Sequence, residues 1–400
     1  MLRLLLSSLF LLATLGCASK PVAPTNANFE EILKEFIEKH NIPGGAMAVS
    51  KNGVFAYNGA AGFSDKEKQM LTSAATPFRI ASSTKPLTAI AVFQLLEKSG
   101  GDIPTALNRP VFGNKGYLPE YKNIKDKRVL KVTLKDLLQH TGGWGSEKDD
   151  YDPQYDLFNI SKKMKSAAPA DAKTVIRYVL QYKNLDRAPG SQYHYSNFGY
   201  NVLARVIEKL SGQPYEDYLK TNVMAPLGIT DMRIGGSRLI ELLPEESRYY
   251  DDPRSPMVTS QFDGTTKGPM AYNEFYLPTM DGHGGWIGTP SDLVLILHAV
   301  TPGLGKTQLL KPETVELMVA PNTNIGNPTA SMGWVSREGG KEFGHAGALE
   351  TGTLSYFVKK SNGVAWAVIF NRLPIEKVEE IGPLLQGLSQ RMDQEFTKLN

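Results

Sequence analysis

Cysteine is almost missing from this chain. Only Cys17 occurs among 400 residues, and a single thiol cannot form an internal disulfide. Histidine is scarce, with six, and no Cys/His cluster has zinc-site spacing. An excess of one charge is lacking too. The 44 basic and 41 acidic residues leave a formal net charge of +3, which argues against an electrostatic nucleic-acid binder. The apolar run Leu4 to Leu15 is too short to span a bilayer as a mature helix. What is there is an ordinary apolar fraction, 41%, over a length that suits two domains or one domain with a large insertion.

Residues 1–18 read as an export signal. Met1-Leu2-Arg3 is a short basic start, Leu4 to Leu15 an apolar core, and Cys17 sits where processing would occur. Thr14-Leu15-Gly16-Cys17 resembles a bacterial lipoprotein box, although Thr14 stands where leucine is usual and Leu15 where a small residue is usual. Lipidation of Cys17 and ordinary cleavage nearby both imply an exported, periplasmic protein. Only the first anchors it to a membrane. Residues 19–28 are a Pro/Ala/Asn tether.

The chain is organised around Phe78-Arg79-Ile80-Ala81-Ser82-Ser83-Thr84-Lys85. Pro86 to Leu96 follows, a mostly apolar run that predicts a buried helix ending at Ser99-Gly100-Gly101. A serine at a helix mouth lies near unpaired N–H groups that favour an anion. Lys85 returns to the same helix face three residues later, so its amine can reach the Ser82 hydroxyl. A neutral lysine there can take the serine proton as the oxygen attacks a carbonyl. Read blandly, Ser82 is a helix cap and Lys85 a solvated first-turn residue, and Ser-x-x-Lys alone is a weak motif. No other serine has lysine at this spacing. Pro86 biases Lys85 away from helical dihedrals, which predicts an irregular helix start.

Upstream, Phe29, Ile32, Leu33, Phe36 and Ile37 predict an amphipathic helix over 28–40. Asn52-Gly53 predicts a hairpin between Ala46–Ser50 and Val54–Tyr57. Residues 101–279 read as helices between long polar loops. The helices are Thr133 to His140, Ala172 to Tyr182, Asn197 to Leu210 and Tyr215 to Met224, the third with Val202, Leu203, Val206, Ile207 and Leu210 inward. Glu147 to Asp156 reads as an acidic, Tyr-rich loop, and 236–279 has no assignable elements. Thr289-Pro290-Ser291-Asp292 caps a further helix. Met332–Val335 and Glu342–His345 read as strands, and Thr353–Val358 and Val364–Phe370 as a hairpin around Ser361-Asn362-Gly363. Ile375 to Phe396 reads as a closing helix kinked near Pro383. Together these predict an α+β fold, an antiparallel sheet from residues 29–100 and 280–400 flanked by N- and C-terminal helices. A large, mostly helical domain over 101–279 is inserted, with the site in the crevice between them.

Several landmarks then fall in a telling order. They are Ser82-Ser83-Thr84-Lys85, Leu137-Leu138-Gln139-His140-Thr141-Gly142, Pro189-Gly190 before Tyr195-Ser196-Asn197, Pro226-Leu227-Gly228-Ile229, Gly284-Gly285 before Asp292-Leu293, and His345-Ala346-Gly347. In this order the chain resembles the serine β-lactamase-like and penicillin-binding protein superfamily, in its class C β-lactamase, D-peptidase and esterase branch. The resemblance covers nearly the whole mature chain and implies three catalytic motifs. The first is Ser82 with Lys85. The second is Tyr-x-Asn, with matches at Tyr121, Tyr182 and Tyr195; Tyr195 and Asn197 follow a Pro-Gly turn and open a buried helix, as the family's motif does. Without the resemblance, Tyr195 would read as a core aromatic and Asn197 as a helix cap.

The third motif is a Lys- or His-x-Gly beside the nucleophile. His140 ends a helix, which the family uses as a structural turn, and His283 lies in a glycine-rich loop. His345 ends a strand and is the choice, with Gly347 expected to let substrate approach the backbone closely. The Ala348 N–H is expected to join that of Ser82 as an oxyanion hole. Read blandly, His345 is a strand-end histidine satisfied by a carbonyl. The resemblance implies a serine hydrolase acting through an acyl-enzyme on small esters, amides or D-amino-acid peptides, with no metal or organic cofactor, and the N-terminal signal implies that it is exported. A β-lactamase is one rival reading, and a non-hydrolytic module that binds cell-wall peptides is another. The expected partners are a small-molecule or peptide substrate, no nucleic acid, and a membrane only through a lipid on Cys17.

Overall fold

The computed structural model describes residues 26–145, 151–349, 352–374 and 380–398. The signal segment, Cys17 and most of the tether lie outside them. Alternation along two strands explains the layers. Strand β1 (Gly44–Lys51) lies beside β2 (Val54–Asp65), and Asn52 and Gly53 between them both have positive φ, as a tight hairpin turn requires. Two-residue β3 (Met70–Leu71) completes this edge. The remaining strands come from the other end of the chain: β4 (Val335–Arg337), β5 (Glu342–Leu349), β6 (Thr353–Lys359) and β7 (Val364–Phe370). The seven-stranded antiparallel sheet runs β3-β2-β1-β7-β6-β5-β4. Its centre is the pairing of β1 with β7, Gly45 opposite Phe370 and Val49 opposite Trp366.

Large and small residues alternate on these central strands. Met47, Val49, Trp366, Val368 and Phe370 point to one face. Helix α1 (Ala27–Lys39) covers it with Phe29, Ile32, Leu33, Phe36 and Ile37, and the C-terminal helix Ile381–Lys398 adds Leu385, Leu388, Met392 and Phe396. Each such Phe, Leu or Ile contributes roughly 1.5–3 kcal/mol by leaving water. Ala46, Ala48, Ala365, Ala367 and Ile369 point the other way. The four alanines let the helix Pro290–Ala299 pack closely on the sheet, and helix α2 (Lys85–Lys98) joins the same core. Residues Pro86 to Phe93 of α2 are all buried, which accounts for its all-round apolar sequence.

Residues 101–279 hold helices such as α3 (Leu134–Leu138), α4 (Ala172–Tyr182) and α5 (Asn197–Ser211). They also hold two-residue strands at 233–234, 258–259 and 267–268, so the region is less uniformly helical than its sequence predicts. On α5 the predicted inward face holds except at Leu210, which is 40% exposed near the helix end. The unassigned stretch 236–279 is organised from outside by Arg79. This wholly buried guanidinium donates to the carbonyls of Ala271 (2.6 Å), Gly236 (3.0 Å) and Ser237 (2.9 Å) and lies 4.0 Å from the centroid of the Tyr249 ring.

Two predicted boundaries are corrected. The strand expected from Met332 begins only at Val335, because Gly333 has a φ of +88° and passes tightly against Ala89 of α2. The closing helix starts at Ile381, and 375–379 lie outside the described residues. Pro383 is therefore in the first turn, where a missing N–H breaks no helical bond and causes no kink.

Candidate active site

Ser82 stands where a 3-10 turn, Ala81–Thr84, runs into α2. Ala81 has a φ of +46°, a left-handed conformation that costs a residue with a Cβ roughly 1–2 kcal/mol. The turn is held from both sides. The Ile80 N–H donates to the Trp286 carbonyl (2.9 Å), and the Ile80 carbonyl accepts the Ser355 hydroxyl (2.6 Å). Gly347 of β5 passes so near that a Cβ there would lie 2.2 Å from Ile80 O and 2.8 Å from Ser83 N. The helix start is irregular, but through this 3-10 turn and not through the bias expected from Pro86. Lys85 itself keeps helical dihedrals, φ −58° and ψ −41°.

Lys85 is wholly buried. Its Nζ lies 3.0 Å from Ser82 Oγ, 2.7 Å from Asn197 Oδ1 and 3.2 Å from the His283 carbonyl oxygen. Burial drives its pKa well below the usual lysine range, and the nearby Asp152 carboxylate opposes that shift. A neutral amine has two N–H bonds and one lone pair. Asn197 Oδ1 and the His283 carbonyl can only accept, so they take the two hydrogens and leave the lone pair to Ser82. Tyr195 keeps 39% of its surface exposed; its hydroxyl lies 2.7 Å from Ser82 Oγ, where partial desolvation pushes its pKa up, so it stays protonated and donates. The serine's own proton is thereby directed at the lysine.

Tyr195 is held by a histidine. His140 closes α3 with a φ of +57°, and its ring stacks on Tyr195 at 4.6 Å between centroids. Its Nδ1 accepts the Ser196 N–H (3.1 Å), and burial holds it neutral, as that acceptor role requires. Asn197 is the first residue of α5, and its Nδ2 donates to Asp152 Oδ2 (2.7 Å). A cleft of about 570 Å³ opens over Ser82, lined also by Trp144, Tyr155, Phe198, Met280, Ala348 and Leu349. No arginine lines it among the described residues. Lys125 and Lys183 do, the first on the Tyr182 carbonyl (3.2 Å) and the second 3.5 Å from the Tyr151 ring centroid. Among the described residues no group of three His, Cys, Asp or Glu is placed to hold a metal ion.

A family model described as Beta-lactamase matches residues 29–388. The chain belongs to the beta-lactamase family. Esterase EstB of Burkholderia gladioli is 26% identical over 378 residues, covering 88% of this chain and 92% of that protein. Protein flp of Staphylococcus aureus (strain NCTC 8325 / PS 47) is 24% identical over 250 residues, 58% of this chain and 46% of flp, so the chain spans about half the length of that relative. In fold, the chain resembles the D-amino acid amidase of Ochrobactrum anthropi SV3 complexed with L-phenylalanine. The TM-score is 0.69 at 22% identity, over 94% of this chain and 99% of that one.

Against this beta-lactamase frame, the structure brings Ser82, Lys85, Tyr195 and Asn197 together and sets Ala348 on the same cleft wall. Tyr121 lies away from the site, edge-on to Phe112. Tyr182 lines the cleft but is not at the serine. Two expectations change. His345 is 7% exposed and does not line the cleft. Its Nδ1 meets the Ala346 carbonyl, and burial pushes its pKa down to about 3. Gly347 is needed because β5 packs on the nucleophile turn, not to admit substrate. Reading the sequence missed Asp152 and the stacking role of His140. The Asp152-Pro153 pair is a visible turn signal, but nothing local to it points at Asn197.

Proposed function

We propose that the protein is an exported serine hydrolase that cleaves small neutral esters or amides through an acyl-enzyme. The observation that carries this is Ser82 Oγ held between the buried Lys85 amine at 3.0 Å and the Tyr195 phenol at 2.7 Å. Ser82 attacks the carbonyl carbon while its proton passes to Lys85. The developing oxyanion is received by the backbone N–H groups of Ser82 and Ala348. Tyr195 gives its proton to the leaving group and regains one from Lys85. Water then repeats the sequence on the acyl-enzyme and frees the acid and the serine.

The cleft itself supports neutral substrates. Among the described residues no arginine lines it, and its two lysines are engaged, Lys125 with the Tyr182 carbonyl and Lys183 with the Tyr151 ring, so neither is set aside for the carboxylate of a penicillin or a free peptide terminus. The Leu4–Leu15 run and Cys17 support export, with membrane attachment if Cys17 is lipidated. The test is intact-mass detection of a fluorophosphonate adduct, followed by turnover of short acyl esters, D-amino-acid amides and a chromogenic cephalosporin. Ser82→Ala should lose the adduct and all turnover with its melting temperature nearly unchanged. An adduct that persists in Ser82→Ala overturns the assignment of the nucleophile. An adduct in the unmodified protein without turnover of any substrate favours the binding module.

A further inference from the structure

A line of polar contacts runs from Ser82 to Asp152. Asn197 Oδ1 accepts from Lys85, and Asn197 Nδ2 donates to Asp152 Oδ2, each at 2.7 Å. Asp152 is itself anchored. Its Oδ1 accepts the Gln154 N–H (3.1 Å) at the head of the 3-10 turn Pro153–Tyr155. Pro153 and Gln154 are buried, and Tyr155 packs against the cluster of Ala81, Phe275, Leu277, Met280 and Leu349. The Tyr155 carbonyl also accepts from Gln261 (2.7 Å). Swinging the carboxylate away would unseat the turn.

An ionised carboxylate can only accept hydrogen bonds. It therefore admits one orientation of the Asn197 amide, with the NH2 toward Asp152 and the oxygen toward Lys85. The reversed amide would point N–H bonds at the lysine and compete with Ser82 for the amine's lone pair. We infer that Asp152 is a positioning residue of the proton relay, aiming the Lys85 lone pair at Ser82 by locking the Asn197 amide. This rests on the reading of Ser82 and Lys85 as nucleophile and base.

The same anion also bears on the charge of Lys85. The amine is faced by the imidazoles of His140, His283 and His345, all held neutral by burial, and by the phenols of Tyr195 and Tyr200, both held protonated. Asp152 is the ion whose field raises the lysine against burial. Lys85 acts as base only when neutral. Removing the Asp152 charge lowers the lysine pKa further, so the acid limb of the pH–rate profile moves to lower pH.

The experiment follows fluorophosphonate acylation of the full chain by intact mass between about pH 5 and 9, the range in which such limbs are read. Asp152→Asn, close in shape, should shift the acid limb down by about one unit. Asp152→Ala should slow acylation at the optimum about ten- to hundredfold, as loss of reacting geometry does. In an Asn197→Ala background the Asp152 substitutions should change the optimal rate by less than about twofold, since coupled residues are non-additive. Folded Asp152 variants with the unmodified rate and limb overturn the inference. If Asp152→Ala fails to fold, the limb of Asp152→Asn decides, because a merely structural role slows the reaction without moving it. If the unmodified protein is not acylated at Ser82, the reading of the nucleophile falls instead.

Discussion

The two walls of the cleft are built on different principles. Ser82 and Lys85 are three residues apart, and the local turn-to-helix geometry brings them together. Tyr195 reaches the same serine from 113 residues along the chain, fixed by the His140 ring and by the start of α5. On the first wall, changing a side chain changes chemistry while the backbone stays pinned by Ser355 and Gly347. On the second, chemistry and placement are hard to separate, because each reacting group is held by another side chain.

The largest expected effect tests the second wall. Tyr195→Phe keeps the ring on His140 and removes only the hydroxyl, so kcat/KM on a short ester should fall by about two to four orders of magnitude. Tyr121→Phe and Tyr182→Phe should be nearly silent. Damage from Tyr182→Phe alone would mean that the relay runs through the wrong tyrosine here.

A smaller effect belongs to β5, behind the first wall. His345→Lys places a longer, cationic side chain there. A charge-assisted bond of roughly 1.5–3 kcal/mol should raise penicillin acylation relative to neutral esters by about ten- to hundredfold. Efficient cephalosporin turnover by the unmodified protein, with no gain in the variant, would reverse the substrate reading.

The smallest effect compares both walls with a site outside them. His140, His283, His298 and His345 all have their pKa pushed down by burial, His298 to about 4. Above the unfolded value of about 6.5 both states are neutral and none of them makes stability pH-dependent. As the pH falls below it, the unfolded chain binds protons that the folded chain refuses, so stability drops. Each contributes up to about 1.4 kcal/mol per pH unit. His298 bonds Ser50 (2.7 Å) under the sheet, away from Ser82. His298→Gln should therefore flatten the fall in melting temperature between about pH 6.5 and 4.5 without touching the acid limb of acylation. An unchanged melting slope would count against the neutral buried imidazole.

What could be read in advance follows the same division. The hairpins at Asn52-Gly53 and Ser361-Asn362-Gly363 and the capped helix at Thr289 are local patterns with local causes, and they appear where turn and cap chemistry put them. The spacing of Ser82 and Lys85 is equally local. Residues 236–279 carry no period because their order comes from Arg79, a side chain about 160 positions upstream of the Gly236 carbonyl it binds. Asp152 belongs to the same class. Its turn is visible in sequence, but its partner Asn197 is 45 residues away. The choice of His345 as a cleft residue failed for a related reason. A strand there was legible, but not its length: β5 runs on to Leu349, so His345 sits in mid-strand, and the packing of β5 on the Ala81–Thr84 turn, which buries that ring, had no local signal.

The pairing of β1 with β7 at the centre of the sheet also has a consequence for synthesis. The residues that pin Ser82 include Gly347 and Ser355, and the strand that completes their sheet ends at Phe370. A ribosome adding roughly 5–20 residues per second needs about 15–60 seconds to travel from the serine to that strand. During that interval Ser82 and Lys85 are adjacent in a growing chain, but neither the desolvation that neutralises the amine nor the strand behind the serine exists. The nascent polypeptide is a poor acyl acceptor, and reactivity arrives with the last strand.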